Sequence, residues 1–149
     1  MKGGTLGALK GLLWFVALSH VTIGLGIMVS TGFQEIMGDM YGASVTWTPE
    51  LHYLLKPLGV FMLGLGVLGV VAARDPLRHR AVIFTFVAVL LLRVAQRVVH
   101  REEIRGAFEL ETSRMAVNGT FFAVLAVALV VLTLKADRAR VDGAGKGRR

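Results

Sequence analysis

The sequence predicts an all-α fold, a bundle of four transmembrane helices, and three observations support this prediction. Apolar residues make up 54% of the 149 residues, and they are concentrated in four long blocks. The parts 60–73 and 121–132 are apolar all round, whereas a helix of a soluble bundle keeps one charged face. Each block spans about 20 residues or reaches that length with its neighbours, as a bilayer core of about 30 Å requires.

The first predicted span covers about residues 8–30. Its most polar members within 11–29 are Ser19, His20 and Thr22. The block is long for the apolar region of a signal peptide, and no soluble domain follows it. We therefore expect a retained helix rather than a cleaved leader.

The loop over 31–50 is longer than a turn needs. Its polar residues Gln34, Glu35 and Asp39 share one helical face. The apolar residues at helical spacing are Phe33, Ile36, Met37, Met40 and Tyr41. This pattern predicts a short amphipathic helix in the first outer loop, on the interface or over the mouth of the bundle. A plain connector is the alternative.

The second and third spans cover about 50–73 and 80–100. Thr48 and Pro49 are a typical helix start, a capping hydroxyl followed by proline at the first helical position. Pro76 ends the second span, since a residue before proline is disfavoured in the α conformation. The short 74–80 connection then makes the two spans antiparallel neighbours.

The fourth span covers about 114–135, with Ser113 as its expected cap. Residues 1–135 then form one membrane domain, and 136–149 form a basic cytoplasmic tail. Glycines in the first two spans let helices approach closely. They are Gly24, Gly26, Gly59, Gly64, Gly66 and Gly69.

The net charge of +7 is distributed unevenly. The predicted cytoplasmic segments hold eleven of the 17 basic residues, whereas 31–50 holds no Lys or Arg. The positive-inside rule therefore puts both termini in the cytoplasm, which we take to be that of a bacterium with the chain in its inner membrane. The tail lacks the interleaved aromatics of a nucleic-acid site, so no nucleic acid is expected, and anionic lipid headgroups are its expected contact.

A polar cluster is expected at the outer end, between the second, third and fourth spans and beneath the 33–41 segment. The third span supplies a polar stripe at i, i+3, i+4 and i+7, since helices have 3.6 residues per turn. The candidate ligand-binding residues are Lys56, Arg93, Gln96, Arg97, His100, His52 and Asn118. An ionised Arg within the membrane costs a few kcal/mol unless it finds a partner or water.

Two interpretations of this cluster stay open. In one, Arg93 and Arg97 extend to the headgroups or pair with loop carboxylates, and the cluster only fixes the bundle. In the other, Lys56, Arg93 and Arg97 bind an anion or a quinone-like carbonyl. Lys56 precedes Pro57, whose missing N–H frees a carbonyl that a buried cation could satisfy.

His20 lies near the middle of the first span, four residues before Gly24. A lone histidine at this depth is a candidate ligand for haem or a chlorophyll-type pigment. The alternative is a hydrogen bond to a backbone carbonyl on a neighbouring helix. The other histidines lie near the membrane edges, so paired haem ligation is not expected, and no other metal or cofactor is predicted.

The apolar helices also resemble a known family. The runs that carry the resemblance are Leu54-Leu-Lys-Pro-Leu-Gly-Val-Phe-Met-Leu-Gly-Leu-Gly, Ala72-Ala-Arg-Asp-Pro and Leu91-Leu-Arg-Val-Ala-Gln-Arg. They resemble the small four-helix bacterial membrane proteins of the BphX-like type, over roughly 50–105. The resemblance implies the same architecture and no catalytic residues, because such families have no settled activity.

Three classes of function follow. No catalytic constellation is evident, and the absence of cysteine excludes thiol chemistry. We therefore expect a non-catalytic accessory subunit that packs on a larger membrane complex. The first alternative binds or carries an anionic lipid or quinone-like ligand in the outer cluster, and the second holds a pigment or haem at His20.

Overall fold

A computed structural model describes residues 3–146 of the chain and shows an all-α architecture. Over these residues there are six helices and no strand. The helices are α1 (Gly3–Val29), α2 (Thr31–Tyr41), α3 (Pro49–Arg74), α4 (Arg80–Val99), α5 (Arg101–Phe108) and α6 (Thr112–Lys146).

Four of these helices, α1, α3, α4 and α6, are long and apolar enough to cross a membrane. This confirms the predicted number and order of long apolar helices. Successive long helices run antiparallel, so 3–10, 74–80 and 135–146 lie at one end, here called the terminal end. The loops over 30–48 and 100–111 lie at the other, here called the α2 end.

Side-chain caps mark the starts of α2 and α3, and one predicted cap, that of the last span, is wrong. Thr48 Oγ1 accepts a hydrogen bond from the Leu51 N–H at 3.3 Å, so the predicted start of α3 is confirmed. Ser30 Oγ caps α2 in the same way, with 3.1 Å to the Phe33 nitrogen. Ser113 is not the cap of the last span, because α6 begins one residue earlier and Ser113 lies inside it.

The last helix is longer than its membrane span. α6 continues past position 135 to Lys146, whereas the sequence suggested only a tail there. The added turns contain Ala, Lys and Arg, which are good helix formers, and no proline. Asp137 accepts a 2.7 Å hydrogen bond from Arg80 at the start of α4, which ties this extension to the bundle. Residues 147–149 lie outside the described part of the chain.

The α1–α3 interface is the most extensive in the bundle, and glycines allow its close approach. A Cβ placed on Gly24 would lie 2.7 Å from the Leu63 nitrogen, and one on Gly66 would lie 2.8 Å from the Val21 nitrogen. Backbone therefore meets backbone, as small residues permit in membrane helices. Gly64 is different, because a Cβ there would meet nothing within 4 Å.

The remaining contacts put α1 at the centre. α4 packs mainly on α6, and α6 also packs on α1. α3 and α4 touch less than any of these pairs, so they are antiparallel but only loosely neighbouring. The short connection between them predicted a closer contact than the structure has.

The buried core is concentrated toward the terminal end. Its largest members there are Leu9, Leu13, Ile83, Phe86 and Leu129, each at most 1% exposed. Toward the α2 end, two cavities lie among the helices. The candidate site lies in these cavities.

Candidate functional site

The α2 helix covers the space between the long helices, as the sequence predicted for a helix over the bundle mouth. Met37, Gly38 and Tyr41 of α2 face a cavity that α1, α3 and α4 line from below. The segment that follows α2 completes the cover, and the Ser44 N–H donates to the Phe108 carbonyl at 2.9 Å. Ile36 and Met40 are more than 60% exposed, and of the two only Met40 borders a cavity, which adjoins the first.

Gln34 holds α2 to α1 and α3, and it lies on a different face of α2 from the one predicted. It was expected on the polar outer face of α2, yet it is 2% exposed and faces the protein. Its Nε2 donates to the carbonyls of Ile27, at 2.7 Å, and His52, at 3.2 Å. Ile27 is in the last turn of α1, where carbonyls lack helical partners, so Gln34 caps that helix end.

His52 completes the network from the α3 side. Because both carbonyls can only accept, the Gln34 amide oxygen faces the ring and accepts from His52 Nδ1–H at 2.6 Å. The ring stacks on Trp47, with centroids 5.2 Å apart. Its Nε2 lies 3.6 Å from a carboxylate oxygen of Glu35. α1, α2 and α3 are therefore joined by one hydrogen-bonded group.

Two adjoining chambers lie beneath this network. Each has a volume of about 280 Å³ and mostly apolar walls. The first lies under Trp47 and Gln34, between α1 and α3, and the second extends between α1 and α6. They share Ile23, Tyr41, Met62 and Arg93 in their walls. Each volume is slightly below the ~300–1,000 Å³ typical of sites for small molecules.

Arg93 is the only charged side chain among the described residues that line either chamber. Its guanidinium carbon lies 4.4 Å from the centre of the buried Phe122 ring. Within residues 3–146 no carboxylate oxygen lies within 4.0 Å of it, and its side chain makes no hydrogen bond. The ring offsets part of the cost of a partly buried cation, by about 0.5–2 kcal/mol.

Arg97 lies one turn nearer to the α2 end. Its guanidinium carbon is 5.6 Å from the centre of the Phe122 ring and 5.8 Å from that of Tyr41. Over the described residues it too has no carboxylate within 4.0 Å. Two cations therefore share one aromatic ring with no counter-ion from residues 3–146.

The loop carboxylates that were expected as partners pair with other groups. Glu103 lies 2.9 Å from His100, and Glu102 lies 3.2 Å from Arg105. Both pairs are on exposed α5 or its junction with α4. The structure therefore shows no pairing of Arg93 or Arg97 with a loop carboxylate among residues 3–146, and the extension of both side chains to the headgroups stays a prediction.

The other predicted site residues are only partly brought together. Asn118 is half-buried and lines the second chamber. Gln96 is exposed and lines a smaller opening toward the α2 end, beside Arg97. Lys56 is exposed and does not line the chambers, so its expected place beside the arginines is wrong. His100 is exposed at the end of α4, outside the chambers.

His20 lines the second chamber and makes a hydrogen bond within its own helix. Its Nδ1–H donates to the Val16 carbonyl at 2.8 Å, so the expected acceptor on a neighbouring helix is wrong. The edge of the ring meets Phe86, with centroids 5.6 Å apart. No group of three or more His, Asp or Glu side chains among residues 3–146 is placed to hold a metal ion.

Several residues that define the site were missed or misplaced from sequence. Gln34 was assigned to the wrong face, and Phe122 and Met62 were not singled out at all. Tyr41 was assigned only to the apolar face of the short amphipathic helix. Phe122 lies one helical turn after Asn118 on the same predicted span. This spacing was the only feature of the sequence that pointed to Phe122, whose ring lies near both arginines.

The fold and site define an all-α protein with four helices able to span a membrane and a cationic, mostly apolar cavity near one end. No family model matches the chain, and neither a curated protein nor a solved structure matches it. The resemblance to the BphX-like proteins therefore stays a prediction.

Proposed function

We propose that the protein is a non-catalytic integral membrane protein that binds an amphipathic ligand in the two chambers. The observation that carries this proposal is the Arg93 guanidinium, which lies in the chamber wall without a carboxylate partner among residues 3–146. An unpaired charge inside a membrane is costly, and such residues commonly mark ligand or ion pathways.

The chemistry of the chambers indicates the class of ligand. The walls suit an apolar ring or chain, and Arg93 offers N–H donors to one anionic or carbonyl oxygen. An acidic lipid or a quinone-like molecule has both parts. His20 shares the second chamber with Arg93, but its Nδ1 hydrogen-bonds to the Val16 carbonyl. Binding or carrying is therefore a better proposal than catalysis.

The proposal includes an orientation. We infer that the α2 end faces out of the cytoplasm of a bacterial inner membrane, because basic residues are concentrated at the terminal end. The chambers then open near the outer leaflet. A reporter enzyme fused at each end, active on only one side of the membrane, tests this orientation.

Tryptophan fluorescence gives a direct test of ligand binding. The chain has two tryptophans, Trp14 and Trp47, and only Trp47 lines a chamber. In a Trp14→Phe background, titration with a short-chain ubiquinone in mild detergent should quench Trp47 saturably. Oleate should compete if the site accepts acidic lipids.

Arg93→Met tests the role of the cation in this background. Loss of a charge-assisted hydrogen bond should weaken quinone binding about tenfold or more. Lys56→Met is the matched control, since it removes an exposed cation outside the chambers. Equal affinities for Arg93→Met and the parent, or quenching that never saturates, would show that the proposal is wrong.

An accessory subunit of a larger complex is the second candidate, and one face of α1 favours it. Gly4, Gly7 and Gly11 lie on this face, and a Cβ on any of them would meet nothing within 4 Å. Trp14 and Leu18 continue the same face and are 37% and 55% exposed. Small residues on a membrane helix allow another helix to pack closely.

Mass measurement after purification in mild detergent tests this second candidate. If α1 docks on a helix of another protein, wild type should purify with that partner and Gly7→Leu should release it. Gly64→Leu, also at an open position, should retain it. A lone chain of 16.1 kDa in wild type argues against the accessory role.

A further inference from the structure

Another open space lies beside Arg97, apart from the two chambers. It is a surface groove of about 500 Å³ between α4 and α6. Its long floor is made of small residues on α6, Ala116, Gly119 and Ala123. Gly119 faces unoccupied space, because a Cβ there would meet nothing within 4 Å. The groove is separate from the two chambers, whose walls contain Arg93.

Charge is confined to one end of this groove. Arg97 and Arg101 line it near the α2 end, with Thr112 across from them on α6. Arg97 has no carboxylate within 4.0 Å among residues 3–146. Arg101 has only Glu102, at 3.9 Å, and that carboxylate is closer to Arg105, at 3.2 Å. The end of the groove is therefore cationic, and the remainder is apolar apart from Thr120.

This distribution matches the shape of a membrane lipid. A groove that runs along the helices from a polar end to an apolar floor can hold an acyl chain with its headgroup at the polar end. Arginine suits phosphate because its fork of N–H donors matches phosphate oxygens. A basic residue near a membrane surface attracts an anionic lipid by about 1 kcal/mol.

We propose that the α4–α6 groove binds one anionic glycerophospholipid from the leaflet at the α2 end. The phosphate contacts Arg97, Arg101 and the Thr112 hydroxyl, and one acyl chain lies along Gly119 and Ala123. The proposal rests on the membrane location of the helices and not on the ligand of the chambers. A leaflet lipid is favoured over a protein helix because the cationic end meets a complementary phosphate.

Native mass spectrometry of the detergent-solubilised full chain tests this proposal. Dioleoyl phosphatidylglycerol and dioleoyl phosphatidylcholine are added separately at equal concentrations, and bound lipids are counted. We expect one tightly bound phosphatidylglycerol per chain. Arg101→Gln should weaken its binding about fivefold, the equivalent of one basic contact. Gly119→Leu should weaken it further, because the leucine fills the groove.

Two controls keep the result specific. Gly64→Leu adds the same side chain at another open position and should leave phosphatidylglycerol binding unchanged. Arg138→Met removes an exposed cation at the terminal end and should also leave it unchanged. Equal binding by Gly119→Leu and Gly64→Leu, or equal affinity for the two lipids in wild type, would overturn the proposal. Circular dichroism and thermal unfolding establish that each variant is folded.

Discussion

The two halves of the bundle are packed in opposite ways. Toward the terminal end, Phe86, Ile83 and Leu129 are at most 1% exposed. Toward the α2 end, two chambers of about 280 Å³ each lie among the helices, and Arg93 lines both of them. Glycines bring α1 and α3 into backbone contact in both halves, at Gly66 and at Gly24 and Gly59. One half is solid and the other is hollow.

This difference separates stability from the candidate function along the bundle axis. In a membrane, helices associate through van der Waals packing, because lipid is as apolar as the side chains. The solid half has that packing around its buried core. The hollow half has less of it and contains the two chambers, with Arg93 in their walls. The Gln34 network partly compensates, since it joins three helices across the open end. Four pairs of substitutions test this contrast.

The largest effect is expected at the α1–α3 contact. Gly66→Leu should lower the free energy of unfolding by about 3 kcal/mol or more, because the new side chain meets the Val21 backbone and overpacks the interface. Gly64→Leu is the matched control on the same helix and should change the free energy by less than about 1 kcal/mol. Reversible unfolding in mixed detergent measures both values. Similar losses in the two variants would contradict the backbone contact.

A second pair compares the halves directly. Phe86→Ala should cost about 3 kcal/mol, because it leaves a cavity in a filled core. Met62→Ala should cost about 1 kcal/mol, since Met62 already borders open space and has fewer contacts to lose. The same unfolding measurement decides. Equal costs would mean that the hollow half is as closely packed as the solid one.

The polar network at the open end comes next. Gln34→Leu should cost about 2 kcal/mol, because it leaves a buried N–H of His52 and the Ile27 carbonyl without partners. Hydrogen exchange should rise over α2, which loses its attachment. Asp39→Ala, at an exposed position on the same helix, is the control and should affect neither measurement. Unchanged exchange in Gln34→Leu would show that α2 is held by other contacts.

The smallest effect has the opposite sign. Arg93→Met should raise the free energy of unfolding of the ligand-free protein by about 1 kcal/mol, because the cost of an unpaired charge exceeds its attraction to Phe122. Arg138→Met removes an exposed charge at the terminal end and should stay within about 0.5 kcal/mol of wild type. A loss of stability in Arg93→Met would assign this arginine a structural role.

Periodicity and capping predicted most of the fold. Four apolar blocks of sufficient length determine four helices, and Thr48 and Pro49 located the start of α3, because these signals are local. The extent of α6 was missed because a charged segment resembles a tail until a neighbour such as Arg80 is known to pair with it. The loose contact between α3 and α4 could not be predicted from the sequence either, since it depends on how α1 packs among the other helices.

The site was predicted less completely than the fold. Arg93 and Arg97 were found because charge within an apolar block stands out. Gln34 was misplaced because a single buried amide has no periodic signature, and its partner Ile27 contributes only a backbone carbonyl. Lys56 was misplaced because the depth of a residue can be read from sequence, whereas the direction it faces depends on tertiary packing.

The position of Arg93 also affects the lipid around the protein. α4 is the shortest of the four long helices, with 20 residues. Its apolar stretch before Arg93, residues 81–92 with Thr85 as the one polar member, is about 18 Å long at 1.5 Å per residue. The hydrocarbon of an ordinary bilayer is about 30 Å thick. A stretch shorter than the hydrocarbon is accommodated by local thinning of the bilayer or by charged side chains that extend to the headgroups. A bilayer around this molecule should therefore be thinner beside α4 than beside α1 and α3.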